Sequence, residues 1–170
     1  MKIALLVLLF LLPSGYGFFL SNRIQKRAQN LKHFKACIEK IYIQVTEYRS
    51  NLEEIFAGLA KDYSSDMCLA FMEISTKMSE GKTDVGEIFY DAFAKRQLLY
   101  GFGSQEMLLV EDISKVLANG KMNSQRQYIG SAVESAEVLS EACMRECEKS
   151  AGAYRKIGIL AGLFLVVVFI

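Results

Sequence analysis

The sequence is poor in residues that mark several protein classes, with one proline, one histidine and no tryptophan in 170 residues. A single proline excludes collagen-like, mucin-like and proline-rich chains, and it permits long uninterrupted helices. A single histidine excludes a histidine-rich metal site. The chain also lacks an excess of either charge, because 20 Lys and Arg residues face 19 Asp and Glu residues. This balance removes the main electrostatic reason to expect a nucleic-acid partner.

Apolar residues are abundant but concentrated at the two ends of the chain. Residues 3–20 and 157–170 contain no charged side chain, whereas both signs of charge are dense between them. A helix of about 20 apolar residues crosses a bilayer, and about 17 suffice. We therefore predict three parts: an N-terminal transmembrane anchor over residues 1–22, a cytoplasmic helical bundle over residues 23–156, and a C-terminal apolar membrane segment over residues 157–170.

The N-terminal segment has a second interpretation, a cleaved signal peptide. Lys2 precedes the apolar run, and Gly15-Tyr16-Gly17 is a small-x-small sequence of the kind found at cleavage sites. The apolar run continues for three residues past that site, which favours a retained anchor. Cleavage would instead give a secreted helical protein with disulfides among its four cysteines, Cys37, Cys68, Cys143 and Cys147.

Flanking cations indicate the orientation in the membrane. Five Lys or Arg residues lie between residues 23 and 35, against Lys2 alone before the first apolar segment. Four lie between residues 145 and 156, and none follows the second segment. Because cytoplasmic flanks are enriched in Lys and Arg, both segments place the central region in the cytoplasm, anchored to the cell membrane.

The C-terminal segment is short for a span. Its 14 residues reach about 21 Å as a helix, against a hydrocarbon core of about 30 Å. Gly158 and Gly162 form a G-x-x-x-G pair, a spacing that lets another helix approach closely within a membrane. We therefore predict that Gly158 and Gly162 pack against a membrane helix.

The region between the apolar segments has helical periodicity. Short helices are expected to begin near Ser50, Ser65 or Asp66, Asp84 and Ser104, and a long last helix near Asn123 or Ser124. The second short helix is expected to end at Gly81. No segment alternates apolar and polar residues as a strand would. The sequence therefore predicts an all-α bundle of about six helices. A long first helix is predicted by two apolar rows that repeat every seven residues: Ile24, Leu31, Ile38 and Val45, then Phe34, Ile41 and Tyr48.

Known catalytic and metal-binding patterns are missing from the sequence. Asn119-Gly120-Lys121 lacks the first glycine and the following hydroxyl of a P-loop, and no nucleophile elbow is present. A zinc site from His33 and three cysteines would need two helix faces to meet, without the C-x-x-C pairs usual in zinc sites. We therefore expect a non-enzymatic protein with no cofactor, no metal and no small-molecule substrate.

The order of these parts and several short motifs resemble the stage III sporulation protein AB family of endospore-forming bacteria. The stretch from Lys156 to Leu163 is similar to the family's glycine-bearing ending, which is followed only by aliphatic residues. The turn containing Gly120, Asn123 and Gln127 is similar to the family's G-x-x-D-x-x-x-Q, with Asn123 in place of the family's Asp. The helix from Leu52 to Ala60 also looks like a family helix.

This resemblance implies a scaffold in the mother-cell channel complex that links mother cell and forespore during engulfment. Its helical domain would be similar to the cytoplasmic domains of secretion and pilus platform proteins. The implied partners are the sporulation AA-type ATPase, other channel subunits and the lipid membrane. The turn at Gly120, Asn123 and Gln127 is then a possible partner contact, although a plain helix cap explains Asn123 as well.

Overall fold

A computed structural model describes the backbone of residues 2–48, 51–62, 66–118 and 122–169, and the side chains of residues 7–48, 51–61, 66–118 and 128–168. Within these ranges the protein has seven α-helices and no strand, which confirms the all-α prediction. The one short helix that the sequence patterns did not predict is α5. In chain order the elements are α1 (Lys2–Ile43), a π-helical turn (Gln44–Tyr48), α2 (Leu52–Asp62), α3 (Met67–Ser79), α4 (Val85–Ala94), α5 (Gln97–Tyr100), α6 (Ser104–Ala118) and α7 (Met122–Phe169).

The chain divides into two compact units. The first, here called the hairpin unit, consists of Met1–Ala28 and Ala142–Ile170, the outer parts of the two long helices. The second, the bundle unit, consists of Gln29–Glu141 and contains the shorter helices with the inner parts of α1 and α7.

An aromatic cluster forms the core of the bundle unit. The ring of Phe93 lies 5.2 Å from that of Phe34, 5.7 Å from Phe71, 4.8 Å from Phe89 and 5.9 Å from Tyr100, measured between centroids. All five side chains are fully buried. Because aromatic side chains bury large areas and gain from edge-to-face contacts, this cluster stabilises the unit.

Helices α4 and α6 cross closely at Gly86. A methyl group added to Gly86 would lie against the backbone oxygen of Ser114 and 2.7 Å from Cβ of Ala118. Both atoms would be closer than van der Waals contact, so a glycine at this position allows the two backbones to approach.

The apolar seam predicted for the first helix is largely confirmed. Leu31, Phe34 and Ile38 are buried, as the seven-residue repeat predicts. Tyr48 is an exception, because it is 71% exposed. The chain from Gln44 to Tyr48 is π-helical, and its wider turn takes Tyr48 off the apolar row.

The predicted helix ends agree with the structure at some positions. The Asp84 side chain accepts a hydrogen bond from the Glu87 backbone N–H at 3.0 Å and caps α4. Gly81, which ends the turn after α3, has a φ of +86°, a conformation that favours glycine. Asp66 precedes α3 but makes no side-chain capping bond, and the predicted starts at Ser50 and Ser65 lie outside the described residues.

Candidate functional site

The hairpin unit is held together by small residues along the facing sides of two antiparallel helices. On α1 the buried positions include Ser14, Gly17, Ser21 and Ala28, which follow one another at spacings of three, four and seven residues. These spacings place them on one helix face. The side chains are small enough for the two helix backbones to come close together.

A close approach of the two helices lies between Gly17 and Gly158. A methyl group added to Gly17 would lie 2.6 Å from the backbone oxygen of Tyr154 and 3.0 Å from Cα of Gly158. One added to Gly158 would lie 2.8 Å from the backbone oxygen of Pro13. Side chains larger than hydrogen would therefore force the two helices apart at this level.

Gly162 makes a second close contact one turn further along α7. A methyl group there would lie 2.9 Å from the backbone oxygen of Phe10 and 3.0 Å from Oγ of Ser14. Gly158 and Gly162 thus both face α1 of the same chain. Their role in packing inside a membrane stays a prediction.

A polar contact joins the same two helices next to the glycine contact. Arg155 donates hydrogen bonds from Nε to Oγ of Ser21 at 2.9 Å and from Nη2 to Oε1 of Gln25 at 3.3 Å. Its guanidinium carbon also lies 5.6 Å from the ring centroid of Phe18, within cation–π range. Beyond it, Arg27 Nη1 lies 3.8 Å from a carboxylate oxygen of Glu146.

The outer surface of the hairpin unit is strongly apolar. Leu12 is 66% exposed and Phe164 is 68% exposed, although both sit on well-packed helices. Two described stretches contain a window long and apolar enough to cross a membrane, judged by length and composition. They are Val7–Tyr48, which covers α1 and the π-helical turn, and Tyr128–Val168 within α7. Large apolar surfaces of this kind mark contact with a membrane or another protein.

The predicted partner-contact turn lies only partly within the described residues. Gly120 lies outside the described residues, and so do the side chains of Asn123 and Gln127. The backbone of both residues belongs to the first turns of α7, which begins at Met122. A partner contact there stays a prediction.

A cluster of charged side chains in the bundle unit is centred on Glu73. Its carboxylate lies 2.9 Å from Nζ of Lys95, 2.9 Å from Nζ of Lys77 and 2.6 Å from Nη1 of Arg96. Hydrogen bonds from Lys95 and Lys77 lower the pKa of Glu73 to about 2. The hydrogen bond between Lys95 and Glu73 also raises the pKa of Lys95. The cluster ties α3 to the end of α4, which is a structural role.

The four cysteines, all within the described residues, form no disulfide with one another. Cys37 and Cys143 are buried, and Cys68 and Cys147 are half-buried. Within the described part of the chain, no three His, Cys, Asp or Glu side chains lie close enough together to hold a metal ion.

Two residues of the hairpin contact were not recognised as such in the sequence. Gly17 is also part of the small-x-small sequence typical of signal peptides, and Arg155 is also a flanking cation. The sequence signal for Gly17 is the row of small residues Ser14, Gly17 and Ser21 on one helix face. A row of this kind predicts a close helix partner, but the sequence alone does not identify that partner.

Comparison with known proteins agrees with the architecture. The family profile described as stage III sporulation protein AB matches residues 2–170. A solved structure of a stage III sporulation protein AB superposes with a TM-score of 0.66 at 13% sequence identity, covering 72% of this chain and 96% of that one, and it supports the fold. A search of curated proteins gave no match. Because the family profile spans nearly the whole chain, the protein belongs to the stage III sporulation protein AB family.

Proposed function

We propose that this sporulation protein is a membrane-anchored, non-enzymatic scaffold of the mother-cell channel complex. In this role the hairpin unit fixes the protein in the cell membrane. The bundle unit, on the mother-cell cytoplasmic side, couples an AA-type ATPase to the membrane assembly. The observation that carries the proposal is the full-length family match combined with a tightly packed apolar hairpin.

The surface of the hairpin unit supports the membrane location. Side chains such as Leu8, Leu11 and Leu160 are more than half exposed. In water such a belt would leave a large apolar area unburied, whereas lipid chains would cover it. The cations that follow this belt lie where the cytoplasmic headgroups would be.

The glycine contacts favour a retained anchor over a cleaved signal peptide. Cleavage after Gly17 would remove Phe10, Pro13 and Ser14, which pack against Gly158 and Gly162. The small face of α7 would then have no partner. The secreted alternative therefore gains no support from the contacts of this unit.

Orientation can be tested by labelling one exposed position of the bundle unit. Leu98 is 87% exposed, so a Leu98→Cys variant in a chain without its native cysteines offers one accessible thiol. A membrane-impermeant maleimide should label it in inside-out vesicles but not in intact cells. Labelling in intact cells would overturn the cytoplasmic placement.

Coupling to the ATPase can be tested by co-purification of the full chain with the AA-type ATPase. We expect the ATPase to be retained, and the Asn123→Ala and Gln127→Ala variants to retain less of it if their turn is the contact. Ser131→Ala, an exposed change further along α7, serves as the matched control. Failure of the wild type to retain the ATPase would refute the coupling role while leaving the membrane location standing.

A further inference from the structure

Charge is distributed unequally between the two units. The hairpin unit contains eight Lys and Arg residues and two Glu residues, a net charge of +6. The bundle unit contains 12 Lys and Arg residues and 17 Asp and Glu residues, a net charge of −5. The near-neutral total of the chain thus conceals a strongly basic hairpin.

Four of the hairpin's cations have no carboxylate partner among the described residues. We call Arg23, Lys149, Arg155 and Lys156 the basic collar; all but Arg155 are exposed. In the bundle unit, by contrast, Lys35, Lys77, Lys95, Arg96 and Lys115 each lie within 3 Å of a carboxylate oxygen.

The collar occupies a narrow band along the hairpin. Residues 149 and 156 are separated by about 10 Å along the helix axis at 1.5 Å per residue. The bond from Arg155 to Ser21 fixes the level of α1, and Arg23 lies two residues beyond Ser21. Long cationic side chains in such a band can all reach one headgroup layer.

Arg155 is hydrogen-bonded to the neighbouring helix. Its bonds to Ser21 and Gln25 hold the guanidinium in place and use two of its five N–H groups. The remaining N–H groups have no acceptor among the described residues. An anchored guanidinium with donors to spare is suited to binding phosphate oxygens.

We propose that the basic collar binds the phosphate groups of anionic phospholipids of the cytoplasmic leaflet. The inference rests on the proposed function, since it takes the hairpin unit to lie in the membrane with the bundle unit in the cytoplasm. Charge complementarity identifies the ligand. Each juxtamembrane Lys or Arg raises the affinity for an anionic lipid surface by about fivefold. The consequence is a preference for membrane regions rich in anionic lipid.

The test is lipid competition on the full chain in detergent. The wild type is incubated with equal amounts of phosphatidylglycerol and phosphatidylcholine, and retained lipid is measured by mass spectrometry. The collar variant combines Arg23→Gln, Lys149→Gln and Lys156→Gln and leaves Arg155 in place, because Arg155 also joins the helices. The matched control combines Lys32→Gln, Lys61→Gln and Lys82→Gln, three exposed cations of the bundle unit with the same total charge change.

We expect the wild type and the control to retain phosphatidylglycerol preferentially. In the collar variant, the ratio of retained phosphatidylglycerol to phosphatidylcholine should fall at least about tenfold. Arginine-to-lysine and lysine-to-arginine exchanges at the same three positions should restore it. Equal retention of both lipids by the wild type, or equal loss in the control, would overturn the proposal. Displacement of phosphatidylglycerol by inorganic phosphate at matched ionic strength would identify a free-phosphate site and overturn it too.

Extraction of membranes with alkaline carbonate separates this inference from the proposed function. The wild type and the collar variant should both stay with the membrane, because the apolar helices are unchanged. If both stay and lipid preference is absent, only the collar proposal fails. If the wild type is extracted, the membrane anchor itself is wrong.

Discussion

The two units of this protein hold their helices together by different means. In the bundle unit, large side chains such as Phe34, Phe71 and Phe93 fill the space between helices. In the hairpin unit, Gly17 and Gly158 let the two helix backbones come into direct contact, and Arg155 adds hydrogen bonds between the helices nearby. Water drives apolar side chains together, whereas lipid is as apolar as leucine and gives no such driving force. Close backbone packing and polar contacts are what remain to pair helices in lipid.

The outer surfaces differ in the same sense. Exposed Leu and Phe side chains cover the hairpin unit, whereas salt bridges such as Glu73–Arg96 and Lys35–Glu137 lie on the bundle unit. Each unit thus presents the surface that its proposed surroundings would favour. The two sets of contacts should therefore respond separately to mutation.

The largest effect should come from removing the centre of the aromatic cluster. Phe93→Ala deletes a fully buried ring that contacts four others, and such truncations cost about 3–5 kcal/mol. Thermal unfolding of the detergent-solubilised chain, followed by circular dichroism, should show early loss of the bundle signal. The helical signal of the hairpin unit should persist, because its packing uses other residues.

Leu98→Ala is the matched control for this change, because Leu98 is exposed and its truncation should alter stability by less than about 0.5 kcal/mol. A single transition that removes all helical signal at once in Phe93→Ala would show that the two units are not separable.

The sequence predicted the bundle better than the hairpin contact. Leu31, Phe34 and Ile38 repeat at a spacing that fixes a buried face, so their burial follows from local pattern. Tyr48 left that face because the chain changes to a π-helical turn, which no residue type announces. The pairing of Gly158 with Gly17 joins residues 141 positions apart, and local periodicity carries no information on which helices meet.

Helix ends depend on residues close in sequence, and the local pattern predicts one end better than another. Asp84 caps α4 through a bond to a residue three positions away, so the local sequence suffices to predict it. The sequence predicts that α6 begins after a cap at Ser104, but the helix already includes that residue. Glu106 there accepts a bond from the Gly103 backbone N–H at 2.8 Å, so a buried carboxylate completes the cap.

A smaller effect should follow from separating the helices of the hairpin unit. Gly158→Leu places a side chain against the backbone of Pro13 and Gly17, and overpacking of this kind costs about 1–3 kcal/mol. Spin labels at Asn22→Cys and Gly152→Cys, two exposed positions, would report the distance between the helices by pulsed electron paramagnetic resonance in a chain without native cysteines. The distance should lengthen and its distribution broaden.

Gly15→Leu is the matched control, since a methyl group at Gly15 meets nothing within 4 Å. The label distance should stay unchanged there, and thermal unfolding of the bundle should stay unchanged in both variants. An unaltered distance in Gly158→Leu would show that the glycine contact does not determine the pairing.

The smallest effect concerns the charge cluster of the bundle unit and depends on pH. The pKa of Glu73 is lowered from its ordinary value of 4.5 to about 2, chiefly by Lys95 and Lys77. A lowered pKa means that the carboxylate stabilises the folded state above pH 4.5 and loses this contribution as the pH falls toward 2. Because Lys95 is more than half exposed, solvent screening limits the contribution to about 1 kcal/mol.

Glu73→Gln should therefore be less stable than the wild type at pH 7, and the difference should shrink between pH 4.5 and pH 2. Glu111→Gln is the control, because Glu111 pairs with Lys115 on an exposed helix face, and such exposed pairs contribute little to stability. Unfolding midpoints of the three proteins across this pH range measure the effect. A difference between wild type and Glu73→Gln that does not change with pH would mean that the side chain stabilises the bundle by packing, with its charge contributing nothing.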